Sequence, residues 1–118
     1  GAVLSAAYGD DVRLRRSVAF VEAHGTGTRL GDPIELSALG GAKLGAEDVP
    51  LRTASVKSNL GHLEGCSGLA GLLKASLCLK HRDRLPKSLH FKTPNKHVNW
   101  DKLRVAVVAG DAEPFFTS

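Results

Sequence analysis

Cysteine is scarce in this sequence: Cys66 and Cys78 are the only two, and both fall on one expected helix. They make a poor disulfide pair, so a stapled secreted domain is not expected, and reduced thiols in a cytoplasmic setting are. No apolar run approaches the roughly 20 residues of a membrane span, and no signal-peptide pattern opens the chain. Aromatic residues are few, at 5%. There is no internal repeat of solenoid type and no low-complexity segment. Neither a CxxC nor an HxxxH pair occurs, so His24, His62 and Cys66 fall short of the four ligands of a structural zinc site, and no metal is expected.

What is present has the composition of one small globular domain: 118 residues, 42% hydrophobic and 24% charged. The net charge of +4 is uneven. Lys80 to Arg104 carries eight Lys/Arg against Asp83 and Asp101, a net +6 that leaves −2 for the rest. That stretch lacks aromatic interleaving at stacking spacing, and its prolines break any continuous helix. It therefore reads as a solvated face or a docking surface for an acidic partner protein, and nucleic-acid binding is not expected.

The chain is organised around Val18 to Glu35, VAFVEAHGTGTRLGDPIE. Val18, Phe20 and Val21 predict a strand, and Gly25, Gly27 and Gly31 a loop with unusual backbone angles. Asp32 is placed to cap the next helix, with Pro33 at its first position and Glu35 three residues beyond the cap. His24 is thus held between two rigid elements. The helix that follows, Ile34 to Leu44, offers Ile34, Leu36, Ala38 and Leu39 to a core. Thr53 to Val56 reads as a short buried strand running into a second polar loop, Lys57 to His62. The second helix, about Gly65 to His81, carries Gly65, Gly68, Gly71 and Ala75 on one small-residue face beside Leu69, Leu72, Leu73 and Leu77. That pattern predicts another backbone packed against the glycines, in a core larger than this chain supplies, and an isolated chain that is unstable or aggregates. Gly1 to Tyr8 reads as a helix tail, Val12 to Arg16 as a bridge, and Leu89 to Phe91 as a brief extended segment. Trp100 anchors a loop, Arg104 to Ala109 is a strand, and Gly110 to Ser118 is a loop. The abrupt start inside a helix leads to the expectation that the chain is cut from something longer. Strands alternating with helices argue for an α/β domain.

Both histidines follow a strand and precede a helix. In a parallel sheet the two loops meet at the carboxyl edge, where α/β folds place ligand sites. Two imidazoles there can donate N–H bonds to one developing oxyanion, with Lys57 holding a nearby charge or orienting a ring. The plain alternative is two satisfied polar residues in loops. Gly25-x-Gly27-x-x-x-Gly31 is not a dinucleotide fingerprint, because its third glycine falls one residue late. Cys66, near a helix N-terminus and one turn from His62, has the setting of a nucleophile, yet its small neighbours Gly65, Ser67 and Gly68 favour a packing role. Cys78, among leucines, is read as structural.

At these residues the sequence resembles a β-ketoacyl synthase. VEAHGTGTRLGDPIE (Val21 to Glu35) and SVKSNLGHLEGCSGLAG (Ser55 to Gly71) are similar to the two histidine motifs of the ketosynthase domain of type I polyketide synthases, and LHFKTPNKHVNW (Leu89 to Trp100) is similar to the segment after them. The resemblance implies a partial thiolase-like fold, layered α/β/α/β/α when complete, and a homodimer. It implies decarboxylative Claisen condensation with an acyl carrier protein bearing 4'-phosphopantetheine, the chain itself binding no cofactor. His24 and His62 would be the paired histidines, Lys57 the supporting lysine, and Thr26 and Thr28 the threonines that bind the phosphopantetheine arm. Residues 1–118 then form the C-terminal half of a ketosynthase domain within a multidomain synthase. The DTACSS-like nucleophile segment and the FGFGGTN-like final segment do not occur in it, so the piece alone is expected to be inactive. Cys66 stands where relatives usually have alanine and does not inherit the nucleophile's role. Gly71 stands where some bacterial fatty-acid relatives have glutamate, which favours the polyketide branch.

Overall fold

A computed structural model describes residues 2–82 and 84–110 and the backbone of residues 113–114. Helix α1 (Ala2–Tyr8) leads to α2 (Val12–Arg16), strand β1 (Phe20–Glu22) and helix α3 (Gly31–Gly41). Next come β2 (Leu51–Ala54), the short α4 (Lys57–Leu60), a 3-10 turn at Glu64–Cys66, and the long α5 (Ser67–His81). β3 (Arg84–Leu85), α6 (Trp100–Leu103), β4 (Val105–Val107) and β5 (Glu113–Pro114) complete the described elements. The stretch Val12 to Arg16, expected as a bridge, is helical because the Asp11 carboxylate accepts the amides of Arg13 and Leu14 at 2.9 and 3.0 Å. The expected loop over Gly110 to Ser118 lies outside the described residues, apart from Gly110 and the strand at Glu113–Pro114.

Three strands form a parallel sheet in the order β1-β2-β4, with Val21 opposite Thr53 and Thr53 opposite Val107. All three therefore end at one edge, as the alternation of strand and helix predicts. β3 and β5 pair separately and antiparallel. One core cluster joins Leu36 and Leu39 of α3 to Leu44, Leu51, Val98 and Val105, with Trp100 and Leu103 packed against it. The Trp100 indole also donates to the Asn95 carbonyl at 3.0 Å, so it anchors its loop as expected. The second cluster holds Ala54, Cys78, Leu85 and Val108. Leu85 and Val108 are fully buried, each contributing about 1.5–3 kcal/mol by its removal from water.

Several local expectations fail for identifiable reasons. Ile34 is 62% exposed, because α3 turns only Leu36 and Leu39 into the core. The segment Lys57 to Leu60 is a turn of helix rather than loop, with the Leu60 and Gly61 amides bonded back to Val56 and Lys57. Leu89 and His90 form a turn rather than an extended segment, with His90 at φ 62°. At Gly65, in the 3-10 turn, and Gly68, on α5, no other part of the described chain lies within 4 Å of where a Cβ would stand, so the backbone expected against them is not among the described residues. A close backbone approach occurs on α3 as well, where a Cβ on Gly40 would meet the Leu103 carbonyl oxygen at 2.7 Å. Leu69, Leu72, Leu73 and Leu77 are 45–68% exposed, a broad apolar face.

Candidate functional site

The site grows from the ends of β1 and β2. β1 closes at Glu22, and the chain turns through Ala23, His24 and Gly25, the glycine at φ +49°. The turn is held from α3: Glu35 presents Oε1 to the His24 amide at 2.7 Å and Oε2 to the Gly25 amide at 2.9 Å. Asp32 does not cap α3; its Oδ1 accepts the Gly27 amide at 3.1 Å. Both carboxylates of the expected helix start are thus spent on the loop amides instead. Charge-assisted bonds of this kind are roughly twice as strong as neutral ones, so the histidine backbone is firmly placed.

Ser55, just past β2, joins this loop to the next. Its hydroxyl donates to the His24 carbonyl at 3.2 Å and accepts the Lys57 amide at 3.3 Å. The space is tight: a Cβ on Gly25 would stand 2.8 Å from Ser55 Cβ. Only glycine fits both the left-handed backbone and that gap.

His62 follows Gly61, which turns the chain at φ +81°. Its Nδ1 lies 3.0 Å from the Glu64 amide and 2.8 Å from Ser67 Oγ. A backbone N–H only donates, so Nδ1 accepts, and the neutral ring carries its proton on Nε2. That leaves Nε2–H as the donor directed away from the chain's own bonds. The two imidazoles meet: their ring centroids are 5.4 Å apart, with the planes at 85°. His24 and His62 are therefore brought together, as the two-loop reading requires, and both are exposed.

Lys57 opens α4 and, with Thr26, lines a cavity of about 830 Å³ whose wall also includes Asp32, Ser88, His90 and Trp100. Neither imidazole lines that cavity. Thr28 lies outside it as well; its Oγ1 accepts the Gly31 amide at 3.0 Å. Cys66, expected as a packing residue, is exposed at the start of α5, whereas Cys78 is buried as expected. Among the described residues, no three His, Cys, Asp or Glu side chains gather as a metal site, and no helix is long and apolar enough to cross a membrane. Ser67 and Glu35 are the residues that sequence reasoning missed or misassigned. The spacing His62-x4-Ser67 across a helix start is the signal for the first. For the second, the signal is a carboxylate one turn into the helix that follows a glycine loop.

Residues 2–92 match the model of the β-ketoacyl synthase C-terminal domain. The chain is 48% identical over 115 residues to a phenolphthiocerol/phthiocerol polyketide synthase of Mycobacterium tuberculosis, covering 95% of the chain and 6% of that protein. It is 52% identical over 95 residues to an erythronolide synthase of Saccharopolyspora erythraea, covering 78% of the chain and 3% of that protein. Among solved structures, the ketosynthase from module 6 of the bacillaene synthase of Bacillus subtilis is similar at a TM-score of 0.78 and 38% identity, over 88% of this chain and 19% of that one. An oxazolomycin ketosynthase domain from Streptomyces albus gives 0.77 and 36%, over 88% and 18%. The chain thus spans a small part of each relative, and its partial α/β fold is that of the ketosynthases. Matched along most of its length by the family model, with its relatives among polyketide synthases, the chain belongs to the β-ketoacyl synthase family as part of the C-terminal domain of a type I polyketide ketosynthase.

Proposed function

We propose that this chain supplies the two-histidine half of a condensing site that performs decarboxylative Claisen condensation in polyketide biosynthesis. A cysteine elsewhere in the complete domain takes an acyl chain as a thioester. A malonyl-type extender, carried on the phosphopantetheine arm of an acyl carrier protein, loses CO2 to leave an enolate. The enolate carbon attacks the thioester carbonyl, and the cysteine thiolate leaves as the new ketone forms. His24 and His62 donate N–H bonds to the oxygens that gain negative charge, the enolate oxygen and the tetrahedral oxyanion. Lys57 supports the site's electrostatics from the start of α4. Thr26 and Thr28 bind the arm, Thr28 donating its hydroxyl proton while its oxygen accepts the Gly31 amide. The basic segment Lys80 to Arg104 suits an acidic carrier protein. The complete domain works as a homodimer in the cytoplasm among the other domains of a synthase. The chain alone is inactive because it does not contain the nucleophile.

The observation that carries this reading is the 5.4 Å approach of two imidazoles at the carboxyl edge of a parallel sheet, with His62 presenting Nε2–H. The test is His24→Ala and His62→Ala in a complete ketosynthase containing this chain. Condensation is expected to fall at least about 10²-fold in each, on the scale of losing one oxyanion donor. Acyl loading, followed by intact-protein mass spectrometry, is expected to persist because the sulfur performs it. Condensation at the normal rate in both variants would sink the assignment.

A further inference from the structure

One carboxylate outside the histidine pair links the strand before His24, the segment before Lys57 and helix α5. Glu22 is the last residue of β1, two residues before His24. Its side chain is 8% exposed, and its Oε2 lies 2.7 Å from Nζ of Lys74, itself 9% exposed, on α5. Its Oε1 accepts the amide of Val56, the residue that precedes Lys57 and the helix leading to His62. Lys74 in turn lies two turns along α5 from Ser67, the partner of His62 Nδ1. Gly71 makes room for this: a Cβ there would press on Glu22 Cγ at 3.3 Å. A glutamate at that position would crowd the stem of Glu22 and set a second carboxylate beside it.

We propose that the buried Glu22–Lys74 pair is a positioning device that sets the relative placement of His24 and His62; it rests on the functional reading given above. Burying two charges gives little net stability over an apolar pair of similar volume, because desolvation offsets their attraction. The pair does fix distance, holding the two charged ends 2.7 Å apart. It ties the strand ahead of one histidine to the amide ahead of Lys57 and to the helix that orients the other histidine. Neither Glu22 nor Lys74 touches the reacting atoms, so they act through the rings.

The test uses a complete ketosynthase containing this chain, with four variants measured side by side: Glu22→Gln/Lys74→Met, Glu22→Gln alone, Glu22→Asp and His24→Ala. The double variant removes both charges and keeps an acceptor for the Val56 amide. Glu22→Asp keeps the charges on a stem one methylene shorter, and is the second line should the double variant fail to fold. Acyl loading is expected within twofold of the parent in the double variant and in Glu22→Asp. The kcat of condensation is expected to fall about 10²-fold in the double variant, the scale of a 1 Å misplacement, with KM for the extender little changed. Glu22→Gln alone, which strands a buried lysine charge, is expected to lose at least as much. Loading and condensation falling in equal proportion would show a merely structural role and overturn the proposal, as would condensation within twofold in folded variants. Normal condensation by His24→Ala would overturn the site assignment and this proposal with it. An inactive His24→Ala beside normal Glu22 and Lys74 variants would overturn this proposal alone.

Discussion

Gly25→Ala offers a direct probe of how the two histidine loops are locked together. Alanine at φ +49° costs about 1–2 kcal/mol from the left-handed backbone alone. Its Cβ would also stand 2.8 Å from Ser55 Cβ, inside any normal contact, and a tight 3.2 Å from Ser55 Oγ. Ser55 has little room to retreat, being buried and bonded to the His24 carbonyl and the Lys57 amide. Overpacking of this kind costs about 1–3 kcal/mol, so the sum is about 2–5 kcal/mol, concentrated on the link between the loops. The assay is a double-mutant cycle in a complete ketosynthase, reading chemical unfolding and condensation rate. Ser55→Gly removes the obstructing carbon, so in the Gly25→Ala background it should recover the steric share of about 1–3 kcal/mol and leave the backbone share. Ser55→Ala keeps that carbon and should recover almost nothing. Equal rescue by Ser55→Ala and Ser55→Gly, or an undisturbed Gly25→Ala protein, would refute the steric reasoning.

Two further outcomes follow from the same contacts. Glu35→Gln turns one of two acceptors into a donor facing the His24 or Gly25 amide, which should cost about 1.5–3 kcal/mol locally. Condensation should fall with acyl loading retained, as separate loading and turnover assays would show. Gly40→Ala drives a Cβ to 2.7 Å from the Leu103 carbonyl and should lower the unfolding midpoint by separating α3 from α6. Because that contact lies at the end of α3 away from the His24 loop, surviving folded protein should load and condense in unchanged proportion.

How far the fold could be read in advance depended on how local its causes are. β1, β2 and β4 were legible because short β-rich runs sit between glycine loops and helices, and that alternation leaves a parallel sheet as the natural arrangement. The histidines followed, since a parallel sheet delivers both post-strand loops to one edge. The glycines around α5 show the limit of such local reading. Their spacing shows that a helix has a small-residue face, while what lies against that face is set by distant chain. Here Gly71 accommodates a side chain, Gly65 and Gly68 face open space, and Gly40 on another helix carries the backbone contact. Ile34 and Cys66 are similar: an apolar position on a helix and a small residue among glycines each favour burial, yet only the neighbours decide it, and within this chain both are exposed.

The candidate site shows the same division at finer scale. Asp32 and Glu35 follow the spacing of a helix start, and a capping box is the local reading of that pattern. The structure spends both carboxylates on the amides of the preceding loop because Gly25 and Gly27, in left-handed conformations, turn those N–H groups toward α3. A cap needs only residues already adjacent in sequence; binding the loop needs the chain to double back, which glycine permits and spacing does not announce. The consequence is chemical. A carboxylate that caps its own helix would leave His24 on a free loop, whereas one that holds the His24 and Gly25 amides fixes the backbone from which the imidazole projects. Ser55 then couples that backbone to the approach toward His62, so the edge-on contact of the two rings at 5.4 Å is made between side chains whose backbones are already tied together.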